Sequence, residues 1–321
     1  MVHDLTPEPA AAGPGDTCQP FVLGGGAIRG RLARCSVAAH DILARHGDPV
    51  PVGELLGQAL VASVALASGL KYDGIFTLQV QGDGPVHTLV VDITSRGQVR
   101  GCVKFDNGRL TKALAKAKAQ GRPGNLTPRL LGNGHLSFTV DQGPDTDRYQ
   151  GIVALDGATL PEAVHHYFQQ SEQVASALRI AVLPPDPTVP RWRAAGLVLQ
   201  RLPRTALTEA VSDDEWDDAW RTAVILMGSV SDAELVSDAL PADRLLHRLF
   251  ATVGVSEAPA RRYAAGCRCS RARSERILAS FPMDEIKALA DDGVVRMTCE
   301  FCRTDYVYSL QDIDRLHATT R

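Results

Sequence analysis

Histidine is absent between His247 and His317, and aromatic residues make up only 5% of the 321-residue chain. Sparse aromatics argue against a base-stacking platform, and a formal net charge of -3 gives no support to bulk binding of nucleic acid. After Met1-Val2-His3-Asp4 the chain runs through Pro, Ala and Gly to Gly15, with no basic segment followed by an apolar one. The expectation is a chain kept in the reducing cytoplasm, and no stretch reads as long and apolar enough to span a membrane. Gly24-Gly25-Gly26 invites a dinucleotide-loop reading, but Arg29 occupies the position of the last glycine and Gly30 comes one residue late, so the run reads as a turn between strands. There is no Ser-His-Asp order, no phosphate loop and no pair of carboxylates with an evident pocket. The chain reads as a binding protein, not an enzyme.

What is present in an informative pattern is cysteine. Cys267-Arg268-Cys269 and Cys299-Glu300-Phe301-Cys302 form two thiol pairs at short spacing. Each pair can supply two sulfurs from one turn of backbone, which suits a single tetrahedral zinc ion, and with no histidine nearby the ligand set would be all thiolate. Two disulfides are the rival arrangement; an iron-sulfur cluster or a bare dithiol site are others. A reducing compartment favours the reduced, zinc-bound state. C-x-C is tighter than most structural zinc turns and points towards redox chemistry. Arg268, Arg271, Arg273 and Arg276 surround the first pair, either as a solvated basic face or as cations favouring thiolates. Cys18, Cys35 and Cys102 stand alone and read as small buried hydrophobes.

With 45% hydrophobic and 22% charged residues the chain is globular and long enough for more than one core. Residues 1–19 read as a disordered tail. Apolar residues at Leu55, Leu56, Ala59, Leu60, Val64 and Ala67 recur at helical spacing up to a glycine cap at Gly69. Alternation follows in Phe76, Leu78 and Val80, then a turn over Gln81-Gly82-Asp83-Gly84-Pro85, then a hairpin partner through Val86, Thr88, Val90 and Asp92. The block from Leu160 to Ile180 reads as a helix that Pro161 opens, with Val164, Tyr167 and Phe168 on one face, and the polar Gln169-Gln170-Ser171-Glu172-Gln173 reads as a cap or cross-link. Pro184-Pro185-Asp186-Pro187 reads as the end of the first domain. Beyond it, Ser212 caps a helix carrying Trp216, Trp220, Val224 and Met227, Ser231 with Glu234 forms a capping box, and Asp243 to Phe250 makes a third short helix. Helices this short need a neighbour to lean on, so their docking reads as a possible switch. The expected fold class is α+β: an antiparallel-sheet-plus-helix domain over 20–183, a metastable helical linker over 184–262, and a small four-cysteine zinc module over 263–321.

The strings Cys267-Arg268-Cys269-Ser270-Arg271, Asp291-Asp292-Gly293 and Cys299-Glu300-Phe301-Cys302, followed by Tyr306, resemble the heat shock protein 33 family of redox-regulated holdase chaperones. Leu70-Lys71-Tyr72-Asp73-Gly74, Tyr167 to Gln173 and Leu246-His247-Arg248-Leu249-Phe250 agree, so the resemblance covers roughly residues 20 to 315. Two departures stand out: the family often has a bulky residue before C-x-C where this chain has Ala265-Gly266, and favours Gly or Asn after C-x-x-C where Arg303 stands. The resemblance implies a zinc-bound, largely inactive reduced form with zinc on Cys267, Cys269, Cys299 and Cys302. It implies that oxidation to the disulfides Cys267-Cys269 and Cys299-Cys302 releases zinc and unfolds the linker. The active form would bind unfolding client proteins without ATP, as a homodimer, with no nucleic-acid or membrane partner. A zinc-ribbon protein that grips RNA or a ribosomal component is the alternative, with net charge against it.

Overall fold

The computed structural model describes residues 16–120, 126–143, 149–155, 159–170, 174–203 and 212–319. The chain divides into two compact units, residues 1–266 and 267–321. The class is α+β, as expected.

In the first unit, one sheet contains β1 (Thr17–Leu23), β2 (Ile28–Arg34), β8 (Ser176–Leu183), β9 (Arg193–Arg201) and β10 (Val255–Glu257), in the order β10-β1-β2-β9-β8, with β11 (Arg261–Arg262) also on β1. The second runs β12-β5-β4-β3-β6-β7 and is built from β3 (Ile75–Gly82), β4 (Val86–Thr94), β5 (Gln98–Phe105), β6 (Gly134–Asp141), β7 (Tyr149–Ala154) and β12 (Ala264–Ala265). Helices α1 (Ser36–His46), α2 (Val50–Ala67) and α5 (Leu160–Gln170) each pack on strands of both sheets, while α3 (Asn107–Ala119) and α4 (Thr127–Leu131) pack on each other and α4 on β4. The outer face of the first sheet carries α6 (Asp213–Gly228), α7 (Asp232–Leu235) and α8 (Ala242–Phe250).

Period-two alternation divides the strands of the first sheet between two cores. Phe21, Leu23, Ile28, Leu32, Ala195, Leu197 and Leu199 face α6–α8, whereas Cys18, Ala33, Ala194 and Val198 face the helices between the sheets. The two helix caps read from sequence, at Ser212 and at Ser231 with Glu234, are present, and Glu215 completes a capping box with Ser212; a further one, Thr159 with Glu162 ahead of Pro161, emerges from the structure.

Several expectations need correcting. The helix expected over 160–180 ends at Gln170, and Ser176–Leu183 is instead the strand β8, because its backbone pairs with β9. The break expected at Pro184 is a hairpin turn instead, pinned where Asp186 Oδ1 accepts from the N–H groups of Thr188 and Val189, each at 2.8 Å; β9 beyond it lies inside the sheet. Prolines exclude helix, and a long hairpin turn meets that demand as well as a domain boundary does. The linker helices belong to the first unit, and the second starts at Cys267, not 263, because Tyr263 is buried in the main core and β12 pairs with β5. Residues 1–15 of the expected tail and Ser171–Gln173 lie outside the described residues, but Thr17–Gln19 are strand. Strand β4 carries a bulge between Val86 and Thr88, so the core-facing residues beyond it are Leu89, Val91 and Ile93. Helix α2 does have the length and mean hydropathy, 1.6, of a membrane span; it is 78% buried within the protein, apolar all round because both sheets cover it. Trp192 belongs to the main core, not to the helical layer.

Trp192 packs where α2 offers no side chain: a Cβ on Gly53 would lie 2.8 Å from Cη2 of its ring. Gly53→Ala is expected to lower stability by about 1–3 kcal/mol through overpacking, read from urea unfolding; an unchanged midpoint would mean that the ring moves freely. Asp16 is buried at the start of α1, where its carboxylate accepts from Val37 N–H (3.0 Å) and Ala38 N–H (2.8 Å). Burial outweighs these donors and pushes its pKa up from 3.8 to about 6. The folded value lies above the ordinary one, so the stability Asp16 contributes is complete below about pH 4 and is lost as pH rises through about 6. Carboxyl NMR titration of Asp16 checks this; a midpoint near 4 would refute it.

Candidate metal centre

The second unit is small. Its helices are α9 (Arg271–Ala279), α10 (Met283–Ala288) and α11 (Leu310–Thr319), and its sheet is the hairpin of β13 (Val294–Thr298) and β14 (Asp305–Ser309). Among the described residues its buried core consists of Leu278, Ile286, Val295, Tyr308 and Ile313. Five such residues are few for a domain that must hold itself together.

Local rules place each thiol pair. Ser270 caps α9, its hydroxyl accepting from Arg273 N–H at 3.2 Å, so Cys267 and Cys269 lie just ahead of a helix N-terminus. The other pair occupies the turn of the β13–β14 hairpin, where Cys299 N–H donates to Thr304 O and Arg303 N–H to Cys299 O, both at 2.9 Å. Asp292 (φ 46°) and Gly293 (φ 75°) form the tight Asp-Gly turn ahead of β13, closed by reciprocal bonds between Asp291 and Val294.

All four sulfurs lie within 4.8 Å of one another. Cys267 Sγ is 3.7 Å from Cys299 Sγ, and Cys269 Sγ is 3.4 Å from Cys302 Sγ. A tetrahedral zinc with bonds of ~2.3 Å requires sulfurs about 3.8 Å apart, so these residues fit a zinc ion in donor type and in spacing. The donors come from both thiol pairs, and a bound metal would tie the start of α9 to the hairpin.

Two hydroxyls not assigned a role from sequence meet the sulfurs. Tyr306 donates to Cys269 Sγ at 3.1 Å, and Thr304 Oγ1 lies 3.2 Å from Cys302 Sγ. Burial pushes the Cys269 and Cys299 thiols up, and the neighbouring sulfurs add to it. For Cys302 burial acts in the same sense, but its bonds to the Thr304 hydroxyl and backbone win and bring it down to about 7. Their place in the chain, Thr304 just ahead of β14 and Tyr306 on it, both within four residues of Cys302, is the signal that marks them. The arginines divide differently from either sequence reading. Arg271 lies over the Tyr308 ring at 4.4 Å and pairs with Glu275 at 3.1 Å, while Arg273 and Arg276 are exposed on α9. Cys18, Cys35 and Cys102 are buried, as their isolation suggests.

Fold and site together define a class: a two-sheet α+β protein with a C-terminal unit in which four thiols converge. A family model described as Hsp33 protein matches residues 16–309. The 33 kDa chaperonin of Caulobacter vibrioides (strain NA1000 / CB15N) is 36% identical over 293 residues, covering 91% of this chain and 94% of its own. That of Pseudomonas fluorescens (strain SBW25) is 31% identical over 305 residues, covering 94% of each. The solved structure of the 33 kDa chaperonin (heat shock protein 33 homolog) of Thermotoga maritima superposes with a TM-score of 0.74 at 20% identity, over 95% of this chain and 99% of that one, which speaks for the fold. The chain belongs to the Hsp33 family.

Arg303, immediately after the knuckle, adopts a left-handed φ of 57°. This is the position where glycine or asparagine fits without strain, since a side chain in that region costs ~1–2 kcal/mol. Arg303→Gly is expected to stabilise the second unit by about 0.5–1 kcal/mol after the entropy of glycine is subtracted. Its ion pair with Glu300, at 3.9 Å on the surface, offsets little. Urea unfolding of the zinc-loaded protein, followed by NMR signals of Tyr306 and Tyr308, measures the shift; a destabilised variant would show that the turn is not strained.

Proposed function

We propose that the chain is a redox-regulated holdase chaperone that works without ATP. The observation that carries this reading is the convergence of four thiols within 4.8 Å in a unit with so small a buried core. Family membership and the names of the relatives support a chaperone function, and with it a role in binding unfolded proteins, not in catalysis.

In the reduced state Cys267, Cys269, Cys299 and Cys302 hold zinc as thiolates. A bound zinc of this kind supplies roughly 10–16 kcal/mol of folding free energy. Tyr306 and Thr304 orient sulfurs and lower the cost of keeping negative charge there. Under oxidation, Cys267 pairs with Cys269 and Cys299 with Cys302. Each pair gives up two electrons and forms one S–S bond, and one molecule of peroxide per pair is reduced to water. The four sulfurs then retain no thiolate and give up the metal. Closing across two intervening residues is less strained than closing across one, so Cys299 and Cys302 pair first. The second unit opens, and because Cys267 follows directly on Gly266, whose N–H donates to Val99 O at 2.9 Å, strand β12 loses its anchor. Helices α6–α8 then leave the outer face of the first sheet and expose its apolar residues to clients. A cytoplasmic setting, a homodimer in the active form, and no nucleic-acid or membrane partner complete the proposal.

The test uses Trp192→Phe, which removes the core tryptophan and leaves Trp216 and Trp220 as reporters of α6. Peroxide at mildly elevated temperature should release about one zinc per chain. It should also red-shift the emission, raise protease cleavage near α6–α8 and switch on suppression of client aggregation. Full oxidation of all four cysteines with emission and cleavage unchanged would sink the mechanism. Leu246, on the inner face of α8, is fully buried. Leu246→Ala should cost ~2–5 kcal/mol and give partial activity before any oxidant is added; a variant as silent as wild type while reduced would refute the covering role of α8.

A further inference from the structure

The first unit contains a cavity of about 480 Å³ that the proposed function does not use. Its volume lies in the range of small-molecule sites, ~300–1,000 Å³. Its walls are apolar, with Phe76 and Phe138 each 2% exposed and Leu66 and Phe168 beside them. The Tyr149 and Tyr167 hydroxyls also reach it and bond each other at 2.8 Å.

Arg31 projects from β2 into this apolar setting and is only 6% exposed. Its Nη1 donates to the neutral side-chain oxygen of Gln200 at 2.8 Å, and among the described residues no carboxylate lies within ion-pair distance of it. The guanidinium fits against the end of α2 because Gly69 has no side chain: a Cβ there would lie 2.2 Å from Arg31 Nη2. The carbonyl end of α2 favours a cation, yet it supplies no full negative charge. Burial lowers the Arg31 pKa to about 10, so it stays protonated at neutral pH. Arg29 and Lys71, both exposed, add two cations at the rim. A buried cation without a partner is costly, and an arriving anion would relieve that cost through charge-assisted, two-pronged hydrogen bonds.

We propose that this cavity binds a small amphiphilic carboxylate, of the fatty-acid type, with the carboxylate on Arg31 and the hydrocarbon tail among the phenylalanines. One buried guanidinium matches a monoanion, and the fork of Arg matches the two oxygens of a carboxylate. The phenylalanines, Leu66 and Val140 suit a hydrocarbon tail better than a polar ligand body.

The test is calorimetric titration of the reduced full-length chain with octanoate and, separately, with 1-octanol, which has the same tail and no charge. Octanoate should saturate one site and bind roughly tenfold tighter than 1-octanol. Arg31→Gln should reduce octanoate to the affinity of the alcohol and leave alcohol binding in place. Equal binding of acid and alcohol by the wild-type chain, absence of saturable octanoate binding, or an unaffected Arg31→Gln variant would each overturn the proposal. Should Arg31→Gln fail to fold, Lys71→Ser, at an exposed rim position, should weaken octanoate about threefold and flatten its salt dependence; unchanged affinity would overturn the site. A diazirine-bearing octanoate should label peptides that contain Phe138 or Phe168, and labelling confined elsewhere would overturn the location.

Discussion

Strand β9 presents apolar residues on both faces, Leu197 and Leu199 to one side and Ala194 and Val198 to the other, and this obliges the first sheet to be covered twice. The second sheet is different. Its inner face is apolar, but on β3, β4 and β5 the other side carries Thr77, Asp92 and Arg100, joined by bonds of 2.8 Å and 2.6 Å. One cover is therefore built into the main core as α2, and the other is assembled from the short helices α6–α8. The outer cover holds by burial of Trp216, Leu245, Leu246, Leu249 and Phe250. The ion pair from Arg179 to Asp232, 2.7 Å at the surface, adds little. Removing that cover would bare Phe21, Leu23, Ile28 and Leu32 on one face. On the proposed mechanism, a sheet apolar on both sides is a stored surface for unfolded clients.

The second unit answers a different problem. Its buried residues are too few to make sulfur ligation incidental, and its two thiol pairs come from segments separated by α9, α10 and β13. A metal joining them closes a long loop, and loop closure is where a crosslink removes the most chain entropy. On the proposed mechanism the same geometry serves oxidation, because the four sulfurs already lie within 4.8 Å of one another. Chain connectivity carries the consequence: only β10, β11 and β12, none longer than three residues, lie between α8 and Cys267.

Features set by local chemistry were legible in the sequence. The caps at Ser212 and Ser231 depend on residues three apart, and the convergence of Cys267, Cys269, Cys299 and Cys302 on spacings of two and three. What escaped depends on partners far along the chain. Nothing in Pro184–Pro187 distinguishes a hairpin from a domain end until β9 finds β2. The bulge between Val86 and Thr88 reverses the facing of β4, and the Gly84-Pro85 just ahead of it reads as part of the turn alone. Helix α2 looks amphipathic over part of its length and proves buried on all sides because two sheets meet there. Arg31 reads as one charge in an alternating strand, and only the fold puts it in an apolar cavity.

The two departures from the family pattern bear on different things. Ala265 and Gly266 follow Tyr263 onto the edge of the second sheet, and a Cβ at Gly266 would already approach Gln98 to 3.3 Å, so small residues suit that edge. Arg303 instead sits in the hairpin that carries two of the four sulfurs, in a backbone region that disfavours side chains. Relative to glycine, a net ~0.5–1 kcal/mol in a loop that, on the proposed mechanism, must open biases it towards opening by a factor of roughly 2 to 5. On the proposed mechanism that bias acts on the Cys299 and Cys302 side of the centre, where oxidation begins. If the redox mechanism proposed above holds, the departure at Arg303 would set this chain to respond at lower oxidant than a relative with glycine in its place, whereas Ala265-Gly266 would leave the threshold alone.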